Sequence, residues 1–158
     1  MTDPQPAPVL PAGFEPLPMR YAHSFIAHMG PLYIRREASG PCIAARLQPH
    51  QCNPFGEVHG GFLAALADFV CAYTMLCGPD PTPSVVTIQL SSQMIGSARL
   101  GDWLEGRGTL RRKGRTIAHV GCAFTCGDAL VAHSDAVFRV LSADRSAERH
   151  ARRGDATG

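Results

Sequence analysis

The run from Gly60 to Cys77, GGFLAALADFVCAYTMLC, constrains this chain more than any other stretch. It reads as one helix that Gly78-Pro79 stops, and its only charged residue is Asp68. Phe62, Leu63, Leu66, Phe69, Val70, Tyr73 and Leu76 spread around most of the helix circumference. Such a helix has to be enclosed rather than laid on a surface. A carboxylate placed in the middle of it carries a desolvation penalty unless it is paired or has chemical work to do.

The rest of the chain supplies a plausible enclosure. After Gly78-Pro79 the apolar periodicity changes to two, and strands are predicted near 84–95, 102–112, 116–126 and 129–140. Gly101-Asp102, Lys113-Gly114 and Gly127-Asp128 divide them, which predicts a four-strand antiparallel meander. Gly106 and Gly108 share one strand face between Leu104 and Leu110, and Gly121 interrupts the next strand. Glycines so placed allow bending and close backbone approach. Ahead of the long helix, a short helix within 19–28 and strands near 31–37 and 42–47 are predicted. The expected class is α+β, one curved antiparallel sheet wrapped around one helix. The domain is expected over 19–141. Residues 1–18, with six prolines, form an arm that is flexible or laid over the surface, and 142–158 are expected to be a disordered tail.

Composition excludes several functions. A chain of 158 residues fits one domain, and 15 Lys+Arg against 13 Asp+Glu, without a long basic block, argues against nucleic acid as a partner. The densest basic cluster, Arg111, Arg112, Lys113 and Arg115, surrounds Gly114 as at a solvated hairpin tip; a contact to ligand phosphates is the alternative. The six cysteines, at 42, 52, 71, 77, 122 and 126, form no CxxC pair and read as small hydrophobes in a reducing compartment. Cys52, His50 and His59 match no zinc spacing, so no metal is expected. No leader and no run of transmembrane length is apparent, which predicts a soluble cytoplasmic protein without a membrane partner. The absence of a phosphate-binding loop or dinucleotide fingerprint argues against nucleotide hydrolysis and hydride transfer, and no cofactor is expected.

Two features carry chemistry. The helix neighbours of Asp68 are Gly61, Ala64, Ala65, Cys71, Ala72 and Met75, and all but the last are small, so something can approach closely there. A structural Asp that caps or pairs is the alternative reading. At the helix start, His59-Gly60-Gly61 leaves amides uncovered that can hold a carbonyl oxygen as it becomes an oxyanion. Gly60 and Asp68 lie about 12 Å apart along a helix, too far for both to reach one carbonyl. If both act on one carbonyl, the second comes from another copy of the chain, across a two-fold axis.

N-x-x-G-x-x-H-G-G followed by Asp, here Asn53, Gly56, His59, Gly60, Gly61 and Asp68, resembles the hotdog-fold acyl-CoA thioesterases, in the phenylacetic-acid-pathway branch. The similarity extends over roughly residues 31–141. It implies a hotdog fold, a homodimer as the minimum unit with a tetramer as the larger alternative, and an acyl-CoA substrate whose coenzyme A is no separate cofactor. By the same resemblance Asp68 is nucleophile or general base, and the Gly60 amide polarises the carbonyl across the interface. Asn53 orients the water or thioester, His59 supports the loop and contacts the thioester region, and Thr87 positions the attacking water. Each has a plainer reading: Asn53 starts a turn before Pro54, His59 is a structural loop histidine, and Thr87 is a strand former sharing a face with Gln89, Ser91 and Gln93. The chain departs from the family at Met94-Ile95-Gly96-Ser97, where an aromatic-Leu-Arg-Pro run is usual, and at Gln89. Those departures bear on acyl specificity and phosphate contacts. The same resemblance favours a medium-chain or aromatic acyl group. Phe62, Phe69, Tyr73 and Met75 either line its pocket or belong to the core. The competing functions are a non-catalytic acyl-CoA binder and an acyl-thioester hydratase.

Overall fold

A computed structural model describes residues 9–18 and 24–154. The elements in chain order are β1 (Glu15–Pro16), α1 (Phe25–Met29), β2 (Tyr33–Glu37), β3 (Gly40–Arg46), a 3-10 turn (Pro49–Gln51), α2 (Gly60–Cys77), β4 (Val85–Met94), β5 (Trp103–Lys113), β6 (Ile117–Cys126), β7 (Ala129–Val140) and α3 (Ala143–Gly154). The strands form one antiparallel sheet in the order β1-β2-β3-β5-β6-β7-β4. It curves around α2, which packs on β3 through β7. The expected architecture, a sheet wrapped around one helix, is what the chain forms.

The expected four-strand meander is corrected. β5, β6 and β7 are consecutive neighbours, but β4 lies beyond β7 and does not touch β5. Gly101-Asp102 is not a hairpin turn, because residues 95–102 travel along the end of the sheet. The amides of Ile95 and Gly96 donate to Val131 O, that of Val58 to Ala98 O, and that of Gly101 to Leu47 O. These bonds carry the chain from the end of β7 to the end of β3, and β5 therefore starts beside β3.

The enclosure of α2 is one-sided. Leu63, Leu66, Ala67, Val70, Cys71, Thr74 and Met75 are buried against the sheet. Phe62, Phe69 and Tyr73 are only partly covered, and Leu76 is exposed. By length and hydropathy α2 is also apolar enough to cross a membrane, contrary to the expectation that no run reaches that length. In this fold it is the core helix.

Helix and sheet meet where the sheet is bare backbone. A Cβ added at Gly106 would lie 2.5 Å from the Phe124 ring and 3.2 Å from Val70. At Gly108 it would overlap the hydroxyl of Thr74, which itself donates to Val70 O at 2.8 Å. Leu104, Val120, Phe124 and Phe138 complete the core around this contact.

The described half of the N-terminal arm is a fixed part of the fold. β1 pairs with β2, and Phe14 packs edge-on against Trp103 at 5.0 Å while the Arg35 guanidinium covers its other side at 4.4 Å. With Tyr33, Cys42 and Ala44 these residues form a second small core on the convex face of the sheet. Its rim is ionic: Arg107 bridges Glu105 at 2.6 Å and Glu37 at 3.2 Å. Hydrogen bonding from Arg107 holds the Glu37 carboxyl below its ordinary range, and burial pushes the Cys42 thiol up to about 12. Residues 19–23, where the short helix was expected to begin, lie outside the described residues.

The expectation of a disordered tail is corrected over its first part, since 143–154 form α3. The Leu141 amide donates to Ser84 O and the Ser146 hydroxyl to Pro83 O, which ties the segment to the loop ahead of β4. The sequence there is mostly Ala, Arg and Glu, all strong helix formers, and propensity explains the helix where charge alone suggested a tail.

Gly108→Ala should lower the unfolding free energy by about 1–3 kcal/mol, the usual range for overpacking a core. Urea denaturation should show a lower midpoint with an unchanged slope. Adding Thr74→Ala should recover more than half of the loss.

Candidate active site

The loop before α2 is organised by Asn53. Its side-chain Oδ1 accepts from the amides of Phe55 at 2.9 Å and Glu57 at 3.1 Å. Its backbone amide donates to Glu57 O at 2.7 Å, and its carbonyl accepts from Gly56 at 3.0 Å. Gly56, at φ +78°, occupies the left-handed region that favours glycine. Asn53 therefore builds the turn, as its plainer reading held, and its side-chain amide group donates to no described residue.

That loop delivers His59 as the N-cap of α2. Its Nδ1 accepts from the Gly61 amide at 2.9 Å, so in the neutral ring the proton sits on Nε2. Gly61 leaves room for this ring, since a Cβ there would lie 3.0 Å from Nδ1. The Gly60 amide has no acceptor among the described residues. The nearest side chain to the place of its missing Cβ is Met94, at 3.9 Å.

The carboxylate lies further along the helix. Asp68 is half-buried on the open side of α2, next to Ala64, Ala65 and Ala72. The hydroxyl of Thr87 donates to its Oδ1 at 2.7 Å. Thr87 does not share a face with Gln89, because a bulge at Ile88 breaks the alternation. Thr87 faces Phe138 and Gln89 faces Val137 across the β4–β7 ladder. The bulge turns Thr87 toward the helix, together with Leu90, which packs on the core, and Ser92, which pairs with Ser134 at 2.8 Å.

Two half-sites result. Asp68 and Thr87 form one; Asn53, His59 and Gly60 sit at or before the start of α2. Eight residues of helix, about 12 Å, separate Gly60 from Asp68 within the chain. The basic hairpin is largely committed elsewhere: Lys113 holds Asp80 at 2.7 Å and Arg111 holds Asp135 at 2.9 Å, while Arg112 and Arg115 are exposed.

Sequence reasoning missed what supports the loop. Gln51 is buried, and its side chain donates to Met29 O at 2.6 Å and accepts from the Gln48 amide at 2.8 Å. His50 contacts Gly30 O at 3.0 Å through Nε2. Both bonds clamp α1 onto the loop. Nothing in the local sequence signals this, since the partners are some twenty residues away.

The family model of the thioesterase superfamily matches residues 55–133, half of the chain, which includes His59, Gly60, Asp68 and Thr87. The chain belongs to the thioesterase superfamily. It is 33% identical to a Pseudomonas aeruginosa protein named "Putative esterase", over 83% of this chain and 97% of that one. It is 24% identical to human acyl-coenzyme A thioesterase 13, over 68% and 76%. A phenylacetic acid degradation-related protein of Ralstonia eutropha superposes with a TM-score of 0.62 at 28% identity, covering 73% of this chain and 89% of that one. The sheet around a single helix is thus the hotdog fold, and the protein is a thioester hydrolase.

His59→Ala should cost about 1 kcal/mol through loss of the N-cap, whereas His59→Asn, which keeps a side-chain acceptor, should stay closer to wild type. Thermal melts of the three proteins measure the difference.

Proposed function

We propose that the protein hydrolyses acyl-CoA thioesters in a site completed by two chains. The observation that carries this reading is the hydrogen bond from Thr87 to Asp68 on an otherwise apolar, small-residue helix face. With Oδ1 engaged, Oδ2 remains available as a base, and the Thr87 oxygen can accept from a water beside it. Asp68 takes a proton from that water as its oxygen bonds to the thioester carbon. The carbonyl oxygen becomes an oxyanion held by the Gly60 amide and the positive end of α2. Collapse breaks the carbon–sulfur bond, and the thiolate receives the proton from Asp68. Free acid and coenzyme A leave.

The 12 Å offset along α2, an order-of-magnitude figure from about 1.5 Å per residue, requires the amide and the carboxylate to come from different chains. The surface of β4 supports such a dimer. Among the described residues the strand pairs only with β7, which leaves a ten-residue edge open. Val86, Ile88 and Met94 are exposed along it. Long apolar edges of this kind are ordinarily covered. Two α2 helices set antiparallel across a two-fold axis bring Gly60 of one chain beside the partner's Asp68. A homodimer is therefore the working unit, and the six free cysteines accord with a reducing cytoplasm.

Asp68→Ala should lower kcat by about 10²-fold or more with an unchanged circular dichroism spectrum, in line with the usual contribution of a general base. Thiol release from a panel of acyl-CoAs provides the assay. A wild-type protein that binds acyl-CoA but releases no coenzyme A would instead be the non-catalytic binder.

Subunit mixing tests the shared site. Asp68→Ala chains exchanged with Gly60→Pro chains give heterodimers in which one site has both defects and the other has neither. Activity should return to about half the wild-type rate per heterodimer. Folded heterodimers, verified by mass and circular dichroism, that remain inactive would show that the site lies within one chain.

A further inference from the structure

We propose that Gln51 is a positioning residue for the Gly60 amide, and that its buried side chain acts on the rate of hydrolysis without touching the substrate. The inference rests on the shared-site reading above and concerns the amide half of that site.

The direction of the Gly60 N–H is fixed through His59. The peptide joining the two residues is planar, so the N–H points opposite to the His59 carbonyl. That carbonyl accepts from the Leu63 amide at 3.1 Å, and the His59 amide donates to Gln51 O at 2.9 Å. The helix holds His59 on one side and Gln51 holds it on the other. Cys52 and Val58 continue the pairing, and the Val58 amide donates to Ala98 O at 2.8 Å. The loop thus has two anchors outside itself. Val58 ties one strand of it to the sheet end, and Gln51 ties the other to α1.

The Gln51 side chain suits two partners of opposite kind. Its Nε2 donates at 2.6 Å to Met29 O, a carbonyl of the last turn of α1, where the helix itself supplies no donor. Its Oε1 accepts from the Gln48 amide at 2.8 Å. A neutral amide offers a donor and an acceptor from one planar group, whereas a carboxylate offers acceptors only. At 1% exposure Gln51 has no access to water that could replace either bond. The other buried polar side chains among the described residues are all hydroxyls. The one buried amide therefore stands directly behind the helix start. Asp68 and Thr87 are held separately, by α2 and by the β4–β7 ladder. Loss of the Gln51 bonds lets the loop tilt under His59, and a displacement of about 1 Å at a reacting centre costs roughly 10²-fold.

The test measures thiol release by full-length protein from the acyl-CoA that the wild type turns over fastest. Gln51→Ala should lower kcat about 10- to 100-fold and keep KM within about threefold, because the amide acts on the developing oxyanion. Gln51→Glu keeps the shape, and burial raises the ionisation of the introduced carboxyl above the ordinary value of about 4.3. The neutral carboxyl can still donate to Met29 O; the ionised one sets an acceptor against it. The ratio of variant to wild-type kcat should therefore be highest at low pH and fall several-fold as pH rises. His28, His50, Cys52, His59 and Asp68 titrate in both proteins and cancel in that ratio. Gln51→Ala chains exchanged with Asp68→Ala chains should regain about half the wild-type rate per heterodimer, since one site then joins an intact Gly60 loop to an intact Asp68. Circular dichroism verifies folding, and if Gln51→Ala does not fold, Gln51→Glu at high pH takes its place in both measurements. Wild-type kcat in the folded variant, or a loss that subunit exchange does not rescue while Gly60→Pro is rescued, would overturn the role of Gln51 alone. Full activity in Asp68→Ala would instead count against the shared-site reading.

Discussion

The approach of α2 to bare backbone at Gly106 and Gly108 fixes everything that follows in this molecule. Because no side chain stands between them, Thr74 and Val70 rest on β5 itself, and the helix sinks into the curve of the sheet. Setting that face down also sets the rotation of the helix about its axis. Asp68 lies two residues before Val70, about 200° around the helix at 3.6 residues per turn, and so comes out on the far side from β5. The carboxylate is placed by packing that it takes no part in.

That placement resolves the cost of a charge in an apolar helix. Asp68 is half-buried, receives a hydrogen bond from Thr87, and faces an open stripe of alanines. A single chain therefore leaves it partly hydrated. In the proposed dimer the penalty would rise as a second chain closes over the stripe, and there the small side chains and the Thr87 bond would limit it. A low-dielectric surrounding also strengthens the pull of a helix-start amide on a developing oxyanion. Under the proposed dimer, closing the interface and assembling the site would be one event, since the open β4 edge and the alanine stripe of α2 flank the two half-sites.

Much of this was legible in the sequence because it rests on local patterns. The bounds of α2, the glycines of β5 and the His-Gly-Gly helix start follow from periodicity and turn chemistry. The strand order was not legible. Gly101-Asp102 looks like a hairpin turn, and only the bonds of residues 95–102 to Val131, Val58 and Leu47 show that the segment crosses the sheet end. The facing of Thr87 was misread for a related reason. A bulge at Ile88 leaves no mark in a stretch of alternating residues, yet it reverses which side chains turn inward. The tail was misread because charge was weighed above helix propensity. The clamp of Gln51 on α1 had no local signal at all.

The bulge and the clamp, both invisible to pattern reading, act on opposite ends of the same site. At one end the extra residue at Ile88 lets β4 present Thr87 to the helix while Gln89 points away. Without it, strict alternation would put Thr87 on the face of Gln89 and Ser91, opposite to Leu90 and Ser92 and so away from the helix. At the other end Gln51, buried and bonded on both sides, holds α1 against the loop that builds the helix start. Neither device touches the reacting atoms in the proposed chemistry. Each adjusts, by one residue or one hydrogen bond, what the packed helix presents at that end. The helix is thus fixed at its centre by glycine contacts and at its two ends by devices that the glycines do not determine.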